Sequence, residues 1–160
     1  MTIKVGDKIP SVTLKHMEES GAKDISTEEL FKGKKVLLFA VPGAFTPACS
    51  AQHLPGYIQN AEQIKAKGVD KIACIAVNDV FVMDAWGKSQ NAGDKVLMLA
   101  DGDGEFAKAA GLELDLNGKG LGMRSRRYAM VIEDGVVKTL ELEEGGKLEI
   151  STAEKLLAKL

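Results

Sequence analysis

The stretch KKVLLFAVPGAFTPACS, Lys34–Ser50, decides the fold. Val36–Val41 is an unbroken apolar run of strand length, the pattern of a parallel strand covered on both faces rather than of a half-exposed one. Pro42 and Gly43 stop it. The chain then reads as a helix start: Thr46 is a preferred cap, and Pro47 fits the first helical position, where an amide hydrogen would be unpaired anyway. Cys49 falls in the first turn of that helix.

Working outward, Ser26-Thr-Glu-Glu29 has capping-box spacing and opens a short helix ending at Gly33, with an irregular segment before it. Downstream, the helix holding Cys49 is disturbed early by Pro55-Gly56 and closes at Gly68. Lys71–Val77 (KIACIAV) is a second buried strand and Val96–Ala100 (VLMLA) a third. Between them, Asn78–Ala92 spaces Val80, Met83 and Trp86 as a helix does. EFAKAAG forms another short helix after the turn-rich DGDG. From Arg127 the pattern changes to two strands joined by Asp134-Gly135, a dipeptide suited to a tight hairpin. Ser151–Glu154 caps a final helix. Alternating strands and helices followed by a hairpin predict an α/β domain spanning residues 1–160, with a central mixed β-sheet flanked by helices on both faces. The longest irregular piece is Leu112–Ser125, with Gly118, Gly120 and Gly122, and it is a candidate functional loop.

Composition narrows the function. Hydrophobic residues at 45%, charged residues at 28% and a net charge of −2 suit an ordinary globular protein and give no electrostatic reason to bind nucleic acid. No apolar run approaches bilayer length, and MTIKVGDK has no apolar block like that of a signal peptide. A soluble intracellular protein is expected: cytoplasmic, or organellar (plastid) if a transit peptide has been removed. Two cysteines do not make a disulfide scaffold, which favours a reducing compartment.

Cys49 is the centre of the chemistry. A cysteine is often an inert packing residue. At a capped helix start the unpaired amides and the macrodipole favour the thiolate over the thiol. A free cysteine of pKa about 8.5 is only about 3% ionised at neutral pH, so the potential gain is large. Thr46 can accept the Cys49 N–H and point its own hydrogen at sulfur or a bound oxygen. Pro42, Ala44, Phe45 and Pro47 form an apolar shoulder that would leave a pocket for something small. The spacing Thr46-x-x-Cys49 rules out a local dithiol, so a single thiolate must attack its target.

PGAFTPACSAQHLPG resembles the active-site signature of the peroxiredoxins, in the peroxiredoxin-5 or plant type II subgroup. The likeness continues through VNDVFVM, GLELDL, GLGMRSRRYAM and EDGVVK. It implies a thioredoxin-like fold and a thiol peroxidase carrying Pro42, Thr46 and Cys49 as its core motif. Cys49 would attack the terminal oxygen of a hydroperoxide and become sulfenic acid. The same match places the arginine that stabilises the leaving oxygen at Arg127; Arg124 and Arg126 read as solvated charges, one of which could help bind an acidic reductant.

His53, four residues after Cys49, shares its helix face and is expected to be neutral, because the dipole that favours a thiolate disfavours an imidazolium. An orienting role and a purely structural one are both open. His16 is assigned nothing. Cys74 reads as packing; similarity to the plant proteins makes it the candidate resolving thiol, at the cost of unwinding the helix start. Ser151 stands where animal peroxiredoxin-5 proteins carry their resolving cysteine. Reduction is therefore expected from glutaredoxin with glutathione, or from thioredoxin, unless Cys74 resolves. No cofactor and no metal are expected, since the P-loop, calcium-loop, G-x-G-x-x-G and zinc patterns all fail on spacing. Phe81, Met83 and Trp86 read as core residues; subgroup members pair as homodimers, to which VNDVFVM could contribute. A Cys49–His53 acyl-transfer enzyme and a redox-sensing or chaperone-type binding module are the competing functions. Peroxide turnover separates them.

Overall fold

A computed structural model describes residues 1–160. Its strands are β1 (Thr13–Glu18), β2 (Gly21–Ser26), β3 (Lys35–Ala40), β4 (Lys71–Ala76), β5 (Leu97–Ala100), β6 (Glu113–Leu116), β7 (Gly122–Ser125), β8 (Tyr128–Glu133) and β9 (Val136–Leu142). Its α-helices are α1 (Thr27–Phe31), α2 (Leu54–Gln59), α3 (Ala61–Ala66), α4 (Val80–Ser89), α5 (Glu105–Ala109) and α6 (Ala153–Leu157).

Seven strands form one sheet in the order β2-β1-β5-β4-β3-β8-β9. The central three, β3, β4 and β5, are parallel, and antiparallel strands continue the sheet on either side. The apolar run at Val36–Ala40 behaves as its pattern predicts, each of its residues being buried. Leu37 and Phe39 face one layer with Cys74, Leu54, Tyr57, Trp86 and Leu156. Val36 and Leu38 face the other with Leu30, Phe31 and Phe106. The mixed sheet with helices on both faces, the thioredoxin-like arrangement, is thus present.

The parallel strands end level with one another, and this positions the site. Val41, where β3 runs out, donates its N–H to Ile75 O, and the chain turns through Pro42–Thr46 into the next helix. On the other flank β8 pairs with β3 so that Tyr128 lies opposite Ala40. Arg127, one residue earlier, enters the same end of the sheet. It shares the face of Ala129 and Val131, both packed in the layer that holds Cys49.

Several expectations are corrected. The segment before α1 is not irregular: β1 and β2 form a hairpin that turns at Glu19-Ser20, hidden in the sequence because both strands are largely solvent-exposed. Leu112–Ser125 is also a hairpin, with β6 and β7 paired from Glu113 opposite Ser125 to Leu116 opposite Gly122. The final helix is capped by Thr152, which accepts Lys155 N–H, and not by Ser151. Met83 and Trp86 are core residues as expected, but Phe81 is 68% exposed. The Asp134-Gly135 hairpin matches its reading, with φ of 48° and 80° at the two positions, the left-handed pair that a two-residue turn demands.

Candidate active site

The helix predicted to follow Thr46 does start there, with Pro47 and Ala48 helical. It does not continue as a regular α-helix. Cys49–His53 forms a π-helical turn in which Leu54 N–H reaches back to Cys49 O. Pro55 supplies the cause: it has no N–H to give to Ala51, so the regular ladder cannot pass through this position and the helix widens instead. Asn60, with φ −100° and ψ 8°, then separates α2 from α3.

Thr46 does not cap as expected. Its Oγ1 donates to Gly43 O at 2.7 Å, and Thr46 O accepts Ser50 N–H at 3.0 Å. The threonine hydrogen is therefore engaged within the loop, and the hydroxyl presents lone pairs only. Phe45, between them, has φ 63°, a left-handed conformation that costs a residue with a side chain about 1–2 kcal/mol. Its ring is 56% exposed. Two contacts brace this strained loop: Asn78 Oδ1 accepts Ala44 N–H at 2.9 Å, and Arg124 donates from Nε to Leu121 O at 2.8 Å and from one terminal nitrogen to Pro42 O at 3.4 Å. A β-carbon added at Gly43 would stand 2.9 Å from that guanidinium, so only glycine leaves it room in this position. Arg124 is thus part of the site rather than a solvated charge. Arg126 is held too, donating to Glu143 O at 3.1 Å.

Cys49 and Arg127 meet under this loop. One terminal nitrogen of Arg127 donates to Cys49 Sγ at 3.3 Å, and the other contacts His53 Nδ1 at 2.9 Å. Both side chains of the central pair are enclosed, Cys49 at 0% and Arg127 at 3% exposure. None of the ion pairs includes Arg127, so no carboxylate neutralises its charge. A buried cation without an anion is costly, and the sulfur is the group beside it that can become one. Arg127 Nε is also buried without a hydrogen-bond partner.

His53 bridges this pair to the far side of the core. A guanidinium can only donate, so Nδ1 must accept, and the proton sits on Nε2, which donates to Ser151 O at 3.0 Å. The His53 pKa is lowered to about 3 by burial first and by the Arg127 charge second. His53 is neutral, as expected, but for those reasons and not because of the helix dipole. The ring lies 5.0 Å from Phe39, which stacks on Tyr57 at 4.0 Å, and Tyr57 also donates to Ser151 O at 2.7 Å. Cys49 and His53 share one face, joined through the guanidinium.

Cys74 lies in mid-strand, paired with Phe39 on one side and Met98 on the other. It is fully buried, and burial pushes its thiol well above the usual range. The pocket expected beside Cys49 is not among the five main cavities, of about 280–340 Å³, which are lined by residues of other parts of the surface. The sequence assigns no role to Asn78, Glu143 or Tyr57, and in it Arg124 reads as a solvated charge or a contact for an acidic reductant. Asn78, Tyr57 and Arg124 reach main-chain groups 34 to 94 residues away, and Glu143 the amides of the 149–151 loop, partners for which spacing carries no signal.

A thioredoxin-like sheet that delivers a single cysteine to a helix start, against an arginine from the neighbouring antiparallel strand, defines a class of one-thiolate redox proteins. The chain matches the Redoxin family over residues 4–157. It is 52% identical over 163 residues to peroxiredoxin-2E, chloroplastic, of Arabidopsis thaliana, covering 99% of this chain and 70% of the relative. It is 48% identical to peroxiredoxin-2B of the same plant, with 99% and 98% of the two chains covered. The crystal structure of reduced Prx3 from Vibrio vulnificus in complex with H2O2 superposes with a TM-score of 0.96 at 55% identity, covering 99% of each chain. The chain belongs to the redoxin family and, within it, to the peroxiredoxins of the plant type II kind. It is a thiol-dependent peroxidase.

Proposed function

We propose that Cys49 is the thiolate that reduces the peroxide, in a single domain spanning the chain, and that Arg127, Thr46 and Pro42 complete the reacting site. The observation that carries this reading is the buried Arg127 guanidinium, which has no carboxylate partner and sits 3.3 Å from the Cys49 sulfur. The Cys49 thiolate gives its electron pair to the terminal oxygen of ROOH: the S–O bond forms, the O–O bond breaks, and RO⁻ leaves, to be protonated to ROH. Sulfur is oxidised by two electrons to the sulfenic acid while the peroxide is reduced. Arg127 stabilises charge as it moves from sulfur to the leaving oxygen, a role for which its fixed fork of donors suits it better than a lysine. Thr46 accepts the peroxide O–H, since its own hydrogen is already given to Gly43 O. Pro42 walls the site, its carbonyl held by Arg124. His53 supports the guanidinium. Cys49 is fully enclosed, so peroxide reaches it only as the site opens, which suits hydrogen peroxide and small alkyl hydroperoxides. The Vibrio relative described with H2O2 agrees with that substrate.

Recovery of the thiolate uses an external thiol. Glutathione condenses with the sulfenic acid, releasing water and leaving a mixed disulfide that glutaredoxin removes by thiol–disulfide exchange; in the alternative route a thioredoxin thiol condenses with the sulfenic acid directly, releasing water, and its second thiol then frees Cys49. Cys74 is enclosed in mid-strand with its thiol proton held firmly, which disfavours it as the resolving group. Exposed Phe45, Phe81, Leu121 and Met123 supply apolar surface for pairing of two copies as a homodimer. No helix is long and apolar enough to cross a membrane. The chloroplastic relatives support a plastid location. The test is consumption of hydrogen peroxide with glutathione and glutaredoxin by the wild type and by Cys49→Ser: turnover that survives the substitution overturns the assignment.

A further inference from the structure

The strand β9 ends in a buried carboxylate that the proposed reaction does not use. Glu143 is 2% exposed. It takes part in none of the ion pairs. Its Oε2 instead collects four donors from one loop: the amides of Glu149, Ile150 and Ser151, each at 2.8 Å, and Ser151 Oγ at 2.7 Å. Burial works against this carboxylate, but the hydrogen bonds from Ser151, Glu149 and Ile150 outweigh it and hold its pKa below the ordinary value. Three convergent main-chain amides form an anion nest, here filled by the protein's own side chain. Its effect is to fix the peptide of Ser151.

Ser151 is held at both its amide and its hydroxyl, and its own carbonyl, in the following peptide, is the one on which His53 and Tyr57 converge. With Ser151 O in place, the His53 proton belongs on Nε2 and Nδ1 is free to accept from Arg127. Without it, either nitrogen can carry the proton, and the tautomer protonated at Nδ1 would turn an N–H toward a guanidinium that only donates. The contacts therefore run in one direction, from Glu143 through Ser151 O and His53 to Arg127 and the sulfur. Main-chain bonds tie the same pieces together, with Glu143 N–H on Arg127 O at 3.0 Å.

We infer that Glu143 is a positioning residue for peroxide reduction: by clamping the 149–151 loop it sets the tautomer of His53 and so the orientation of Arg127 against Cys49. The inference rests on the reading of Cys49 as the reacting thiolate, but its test has readouts that need no peroxide. Outer-shell groups of this kind typically change activity by about 10-fold or more when removed, and a loss of that order in the rate constant for peroxide is expected for Glu143→Ala. Glu143→Gln keeps the shape, removes the charge on which four donors converge, and guards against an alanine variant that fails to fold. In both variants, nitrogen NMR of the His53 ring should show the Nδ1-protonated form appearing. Alkylation of Cys49 at neutral pH, measured without peroxide, should slow in parallel with the peroxide rate. A folded variant of either kind with wild-type tautomer and wild-type alkylation rate overturns the inference, and so does a loss of peroxide rate with the tautomer unchanged. Failure of Cys49→Ser to abolish turnover would instead strike the reading beneath it.

Discussion

Replacing His53 with glutamine turns the geometry of the buried bridge into a measurable pH dependence. Glutamine can accept from Arg127 with its amide oxygen and donate to Ser151 O with its amide nitrogen, so the contacts survive while the titration is lost. In the folded wild type His53 takes up a proton only near pH 3, against an ordinary value of 6.5 in the unfolded chain. Between those two values the unfolded state binds a proton that the folded state does not. Stability contributed by neutral His53 is thus fully present above 6.5 and is lost as the pH falls toward 3. The loss approaches about 1.4 kcal/mol per pH unit, so the wild type should lose on the order of 3 kcal/mol more than His53→Gln between about pH 8 and about pH 4.5. Glu143 does not blur this window, because its lowered value moves its own loss of stability to more acid pH than the ordinary 4.5. Every other group is common to the two proteins and cancels in the comparison. Urea denaturation at a series of pH values gives both curves. Parallel curves would show that His53 is not held neutral in the core, and the assigned tautomer would fall with it.

Further expectations follow from the same geometry. Arg127→Met should lower the rate constant for peroxide by on the order of 100-fold, as removal of a charge-stabilising donor does elsewhere, and Arg127→Lys by about 10-fold, because a point charge replaces the fork; stopped-flow measurement with wild-type rates in either variant would remove Arg127 from the site. Cys74→Ser should keep turnover with glutathione and glutaredoxin, as its enclosure in mid-strand demands, and dependence of that assay on Cys74 would contradict an external reductant. Trp86→Phe removes the indole donor to Ser50 Oγ at 3.0 Å and should destabilise the fold by about 1 kcal/mol, read by urea denaturation; an unchanged midpoint would mean that this bond does not stabilise the π-turn.

The parts of the fold that were legible in the sequence are those where burial imposes a pattern. Val36–Ala40 and Ile72–Ala76 are covered on both faces and read as continuous apolar runs. Asp134-Gly135 advertises its hairpin because few other pairs tolerate two left-handed residues. The β1–β2 and β6–β7 hairpins escaped because their strands are largely exposed or very short: β6 alternates as ELDL but over only four residues, and its partner GMRS has no apolar face. In the site, Cys49 was visible from its place after Thr46-Pro47, and Arg127 from its motif. The π-turn was not, although Pro55 contains its cause. The bracing by Asn78, Arg124 and Glu143 was invisible because each acts on main-chain groups that any sequence would supply. Phe81 is two residues from Met83, roughly 200° round a helix of 3.6 residues per turn, so it lies off the face of Val80, Met83 and Trp86 and points outward.

The most direct measurement is a single addition of one equivalent of hydrogen peroxide to the reduced protein in the absence of any thiol, followed by trapping of sulfenic acid and peptide mass mapping. The account predicts the trapped oxygen at Cys49, formed on the time scale of peroxide loss, with Cys74 unmodified. Label at Cys74, or peroxide consumed with Cys49 still a free thiol, would contradict it.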